Sequence, residues 1–345
     1  MSTDPSLLEL PFDQYQRYRV AADLVALLDV PADRPIVDVG GGPGFAEAFL
    51  PDREAVVVDV EGKHPGRFVI ADGARLPFTD RTFGAALALD TLEHVPSRHR
   101  PAFLAELRRV ADVVILSAPF ADESVVLAES ALHEFVLQRF GGPFPTLEEH
   151  AEHGLPELDE TVSAVGADGW NTATLPSGYL PRWLTGMLLH HEFLAMGMPE
   201  LPRLHAFYNS AVSPSDCREP AYRHVVVGAR ALPAEALDAA VASLRTDHDS
   251  AEGESALRGI AGAVLSHRLG GSLRAGEPEA LRADVARLGL ELADRDAQIA
   301  RLQDLNNKLS ADLQEAREAT LREARRSISS VVLQRAADWR DRRRQ

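Results

Sequence analysis

The chain has 345 residues, enough for about two domains, and 45% of them are hydrophobic, enough for a substantial core. Its one cysteine, Cys217, excludes a disulfide framework and points to a reducing cytoplasm. A formal net charge of −16 speaks against a general nucleic-acid binder, and the sequence contains neither a secretory signal pattern at its start nor an apolar run long enough for a bilayer.

Residues 7–30 carry apolar positions at helical spacing, closed by Asp29, Pro31 and Asp33. Short, mostly unbroken apolar runs then recur at Ile36–Val39, Ala55–Val58, Phe68–Ala71, Ala85–Leu89 and Val113–Leu116. Such runs read as strands buried on both faces. Helical segments such as Arg98–Val110 lie between several of them, which predicts an α/β fold with a mostly parallel, doubly wound sheet. Ser124–Arg139 reads as a helix, and the stretch from Phe140 to Glu160 reads as turn-rich. Trp170–Leu175 and Arg223–Gly228 read as two more strands, with the apolar helix "LPRWLTGMLLHHEFLAMGM" between them. From about Pro233 the aromatics thin out, and Gly270, Gly271, Gly276 and Pro278 mark a hinge.

Beyond the hinge, Val285, Leu292, Ile299, Asn306 and Leu313 recur every seven residues, as do Leu281, Leu288, Arg295, Leu302, Leu309 and Ala316. This heptad pattern predicts a coiled coil, and Asn306 at a core position favours a parallel homodimer. The tail after residue 320 is rich in arginine and carries Trp339, so weak contact with an anionic membrane face is one expectation and a solvated end the other. The expected division is a catalytic domain over 1–232, with lid insertions at 121–168 and 178–218, a helical linker over 233–278, a coiled coil over 279–320 and a basic tail over 321–345.

The run "VDVGGGPG" carries the chemistry. Its glycines, Gly40, Gly41, Gly42 and Gly44, do not give the G-x-G-x-x-G spacing of a dinucleotide loop, since Phe45 holds the third position. Asp38 precedes them, and a carboxylate there would repel a pyrophosphate and suit an ammonium or sulfonium. Asp59 ends the second run, where it can take ribose hydroxyls, and Asp72 with Gly73 follows the third, where an adenine amine can be held. Asp90 follows the fourth. Acids placed past strand ends describe a positively charged nucleoside without phosphate, which S-adenosylmethionine fits and NAD or ATP does not.

The stretches "VDVGGGPG", "VVVDV", "ADGARLPFTDRTFGAALALDTLEHV" and "VILSAPF" resemble the ordered motifs of class I S-adenosylmethionine-dependent methyltransferases, from about Tyr15 to Arg230. "DGARLPF" and "DTLEHV" are most like the branch that acts on small substrates and envelope glycans. The resemblance implies a Rossmann-like, seven-stranded sheet with its last two strands antiparallel. It further implies that Asp38, Gly40, Gly42 and Gly44 surround the methionine part of the cofactor. "DQYQRYRV" resembles the family's lid helix, with Tyr15 or Tyr18 over the cofactor.

Methyl transfer from a sulfonium needs alignment above all, and a base only when a hydroxyl must lose its proton. His94 is the candidate base, with Glu93 beside it. Asp90, Glu93 and His94 also resemble a run that holds a divalent ion in some O-methyltransferases, where a distal histidine (His133, His150, His153 or His224 here) would complete the set. Relatives without metal share that run, and no metal is expected. The expected activity is O-methylation of a sugar or envelope-glycan hydroxyl by a homodimer at the cytoplasmic side. Small-metabolite O- or N-methylation, or an inactive scaffold dimerised by the coiled coil, are the alternatives.

Overall fold

A computed structural model of the chain describes residues 5–271 except 43, 64 and 247–250. The chain divides into units at 1–275 and 276–345. The expected coiled coil and basic tail lie outside the described residues.

Among the described residues seven strands form one sheet: β1 (Ile36–Val39), β2 (Ala55–Asp59), β3 (Arg67–Ile70), β4 (Phe83–Leu89), β5 (Ala111–Pro119), β6 (Asn171–Tyr179) and β7 (Ala221–Ala229). Their order is β3-β2-β1-β4-β5-β7-β6. β1 to β5 pair in parallel, while β7 runs antiparallel to both of its neighbours. Chain direction around the sheet reverses at β1 and β4, and the carboxyl ends of strands at such a switch point open a crevice for a ligand.

The helices are α1 (Phe12–Leu27), α2 (Ala46–Phe49), α3 (Arg100–Val110), α4 (Glu123–Phe140), α5 (Pro145–His153), α6 (Leu158–Val165), α7 (Leu180–Met196), α8 (Leu201–Phe207), α9 (Ala234–Leu244) and α10 (Ala251–Gly271). Successive strand residues point to opposite faces. Ile36, Leu87, Ile115 and Val227 pack with Leu24 and Val25 of α1 on one side. Val37, Ala86, Val114 and Val226 pack with Leu104 and Leu107 of α3 on the other. Two covered faces explain why these strands read as unbroken apolar runs.

The structure revises several expected boundaries. The turn-rich segment 140–160 contains a short helix, α5, which has Pro145 in its first turn and Gly154 after its end. α6, assigned by sequence to the first lid insertion, belongs to the helical layer instead: Val165 is fully buried, and a Cβ at Gly228 would lie 2.3 Å from its Cγ1. The second insertion cannot begin at residue 178, since β6 continues through Tyr179. The domain does not end at 232 either, because α9 adds Leu237, Ala240 and Val241 to the core. The hinge glycine Gly270 lies within α10. No described helix is long and apolar enough to cross a membrane.

Candidate active site

The loop after β1 turns sharply because its glycines adopt φ values open to few other residues: 76° at Gly40, 26° at Gly42 and 75° at Gly44. Gly40 is also crowded, since an added Cβ would lie 2.3 Å from Cγ2 of Thr91. Asp38 is fully buried beneath this loop, where Tyr18 donates its hydroxyl to Oδ2 at 2.9 Å. Oδ1 has no hydrogen-bond partner among the described residues. Burial pushes the Asp38 carboxyl up to about 7, against the lowering influence of the Tyr18 hydrogen bond and of Arg17. Tyr18 thus supports Asp38 from below, while Tyr15 packs edge-on against Phe49 in the core.

Asp59 accepts the Gly42 N–H at 3.0 Å through Oδ2 and the Val60 N–H at 2.7 Å through Oδ1. It borders a cavity of about 290 Å³ together with Asp72, Gly73, Thr91, His99 and Phe103. Asp72 is exposed and uses Oδ1 to accept the Ala74 N–H at 2.8 Å. Gly73 is explained by packing: a Cβ there would lie 2.5 Å from Cε2 of Phe103.

A second cavity, of about 620 Å³, lies beside the first and shares Gly40, Asp90 and His94 with it. Phe12, Trp183 and Tyr222 line it with Phe144 and His150 from the segment after β5 and Met187 and His190 from α7. Asp90, expected from sequence at the cofactor, borders both cavities and is held by the protein. Oδ2 lies 2.9 Å from Nη2 of Arg223 and 3.3 Å from Nη1 of Arg17, and Oδ1 accepts the Ser117 hydroxyl at 2.7 Å. Arg223 is fully buried and also pairs with Asp13, which accepts the Trp183 indole N–H at 2.8 Å. Burial works to raise Asp13, but Arg223 and Arg17 outweigh it and hold the carboxyl at about 2. Asp13 and Arg17 lie in the stretch "DQYQRYRV" read as a lid helix, but sequence reasoning gave a site role there only to its tyrosines; Arg223, Trp183 and Tyr222 have no motif around them.

Glu93 and His94 sit in a tight turn after β4, where Asp90 takes a φ of 52°. Glu93 is almost fully buried and its Oε2 has no hydrogen-bond partner among the described residues; burial, with Asp90 nearby, raises its carboxyl well above the usual range. His94 is paired through Nδ1 with Glu149 Oε2 at 2.7 Å, and burial and His150 lower its pKa. Of the four distal histidines considered from sequence, the structure brings His150 to this turn, its ring centroid 4.9 Å from that of His94. His224 instead pairs with Glu219 at 2.8 Å. Burial lowers His190 and His205 to about 4, which leaves this hydrogen-bonded pair neutral. Burial also pushes the Cys217 thiol up to about 12, which removes it as a nucleophile near neutral pH.

Residues 37–113 match the family described as a methyltransferase domain. An uncharacterized methyltransferase of Mycobacterium marinum is 32% identical over 199 residues, which cover 48% of this chain and 75% of that one. Another, from Mycolicibacterium paratuberculosis, is 30% identical over 220 residues, covering 52% of this chain and 83% of that one. Among solved structures, the magnesium protoporphyrin IX methyltransferase of Synechocystis with bound SAH is 16% identical, with a TM-score of 0.37, covering 64% of this chain and 83% of that one. The chain belongs to the class I S-adenosylmethionine-dependent methyltransferases. S-adenosylmethionine is its cofactor, and the site fits that molecule: a glycine turn at Gly40, a buried Asp38 whose Oδ1 has no hydrogen-bond partner among the described residues, and Asp59 on a neighbouring strand end.

Gly40→Ala tests the turn. A left-handed alanine costs about 1 kcal/mol and the clash with Thr91 adds to it, so a loss of about 2 kcal/mol in stability is expected. Calorimetry is expected to show cofactor affinity at least ~10-fold weaker, since the turn can relax only by moving.

Proposed function

We propose that this chain methylates a hydroxyl group of a sugar or envelope-glycan precursor. The observation that carries the reading is the meeting of two cavities at Gly40, Asp90 and His94. The smaller cavity, edged by Asp59 and Asp72, suits the nucleoside, and the larger one suits the acceptor. Aromatic rings of Phe12, Trp183 and Tyr222 interleaved with carboxyl and imidazole groups match a polyhydroxylated ring, which has apolar faces and a polar edge.

Bound S-adenosylmethionine supplies an electrophilic methyl group on a sulfonium that is already a good leaving group. Asp38 would hold the cationic methionine end and Asp59 the ribose, with Asp72 near the base. Arg17 and Arg223 act through Asp90, whose carboxylate they pin at the junction between the cavities. The hydroxyl proton of the acceptor finds basic atoms on Glu93, His94 and His150, all of which line the larger cavity. α4 and α7 wall this cavity through Leu132 and Trp183.

Incubation with methyl-labelled S-adenosylmethionine and a panel of sugar nucleotides, envelope-glycan extracts, phenols and amines tests the acceptor. Label is expected in an alkali-stable sugar ether. Label confined to phenols or amines would replace this reading with small-metabolite methylation.

A further inference from the structure

We propose that Glu93, His94 and His150 form a binding site for a divalent first-row transition-metal ion at the wall of the larger cavity. One possible ligand atom from each of the three lies within 4.8 Å of the other two. Glu93 is 1% exposed and His150 4%. The Oε2 atom of the first and the Nε2 atom of the second have no hydrogen-bond partner among the described residues. A buried polar atom left unpaired costs about 1–3 kcal/mol, and two such atoms in one cluster point to a ligand that both bind.

The surroundings prepare the imidazoles for this. His150 Nδ1 lies 2.9 Å from Oε1 of Glu129, and His94 Nδ1 lies 2.7 Å from Oε2 of Glu149. A carboxylate at Nδ1 draws the ring proton there and leaves the lone pair on Nε2, as in metal-bound histidines supported by an outer carboxylate. Glu129 is held in turn by the Tyr222 hydroxyl at 2.9 Å. Asp90 is not a ligand candidate, because Arg17, Arg223 and Ser117 already occupy its oxygens.

Two imidazoles and one carboxylate suit zinc, iron, cobalt or nickel, whereas magnesium and calcium prefer sets of oxygens. Three protein ligands leave at least one position for a molecule in the cavity. The consequence for the acceptor rests on the proposed function: a hydroxyl bound there would release its proton to solvent more readily, and the three side chains would serve as ligands in place of proton acceptors. The ion site itself stands on the cluster alone.

The test is titration of the untagged, chelator-stripped full chain with Co²⁺, followed by its visible absorption. One strongly coloured ion per chain is expected, with at least ~10-fold weaker binding in Glu93→Gln and His150→Ala and a smaller loss in Glu149→Gln. Circular dichroism and calorimetry with S-adenosylmethionine on the same samples establish that each variant is folded. Absence of a saturable band in the wild-type chain would overturn the proposal, as would unchanged binding in folded Glu93→Gln and His150→Ala. Cofactor binding is read separately, so its absence would strike the proposed function and leave the ion result intact.

Discussion

Asp38→Asn is expected to make the ligand-free protein more stable at pH 8 by about 1–3 kcal/mol, while weakening S-adenosylmethionine binding by about 30-fold or more. The two effects share one origin. Asp38 is fully buried and its only hydrogen-bonded side-chain neighbour is Tyr18 among the described residues. Arg17 lowers its pKa only in part, and Asp59 opposes that by raising it. A carboxyl that titrates near 4 in the unfolded chain and at about 7 in the folded one binds its proton more tightly when folded. Stability is therefore highest below the unfolded pKa, falls as pH rises through the window between about 4 and 7, and stays low above it. Asparagine carries no charge, so its variant escapes that loss, less the cost of a buried amide that lacks partners.

In the proposed function the same carboxylate, once ionised, receives the cofactor's ammonium. Binding near pH 6.5 is then expected to expel a proton from Asp38, and affinity to rise between about pH 5.5 and 8. Chemical denaturation at pH 4.5 and pH 8 checks the stability effect, and calorimetry in buffers of different ionisation enthalpy counts the proton. If Asp38→Asn lost stability at pH 8 and kept full cofactor affinity, the cationic pocket would lie elsewhere.

The second large effect is expected from Arg223→Met. Arg223 is the fully buried cation between Asp13 and Asp90, and methionine would leave both carboxylates with Arg17 as the one cation near them among the described residues. Removing one partner from a buried pair costs about 3–5 kcal/mol. For a unit of this size that is a fall in Tm of about 10 °C. The penalty has a pH signature. Asp13 titrates at about 2 in the fold, below its unfolded value, so the stability it contributes is present above about pH 4 and is lost as pH falls toward 2. The gap between wild type and Arg223→Met is accordingly expected to shrink as pH falls from 6 to 3. A gap that does not change with pH would mean that the loss is one of packing, since Arg223 also lies over the Tyr222 ring, 5.1 Å from its centroid.

Arg223 also links stability to the site. Asp13 lies on α1, Asp90 just past β4 and Arg223 on β7, so one guanidinium ties three elements together at the junction of the two cavities. Catalytic loss in Arg223→Met is therefore expected even at temperatures where the variant stays folded, with kcat affected more than cofactor affinity.

The strands, the glycine turn after β1 and the acids past the strand ends were legible because each is written in a few adjacent residues. An apolar run of four, a glycine that must take positive φ, and a carboxylate immediately after a strand depend on local backbone geometry, which the chain specifies over short distances. The family resemblance rests on the same short stretches. Tertiary structure alone decided which polar groups meet. Glu93 and His94 could have been joined by any of four histidines, and only the packing of α5 against the turn after β4 selects His150, 56 residues from His94. The union of Asp13, Arg17, Asp90 and Arg223 likewise spans more than 200 residues, and no period or spacing in the sequence announces it. The physical reason is the short range of ion pairs and hydrogen bonds: they act at about 3 Å, so they are decided by whichever elements the apolar core brings together.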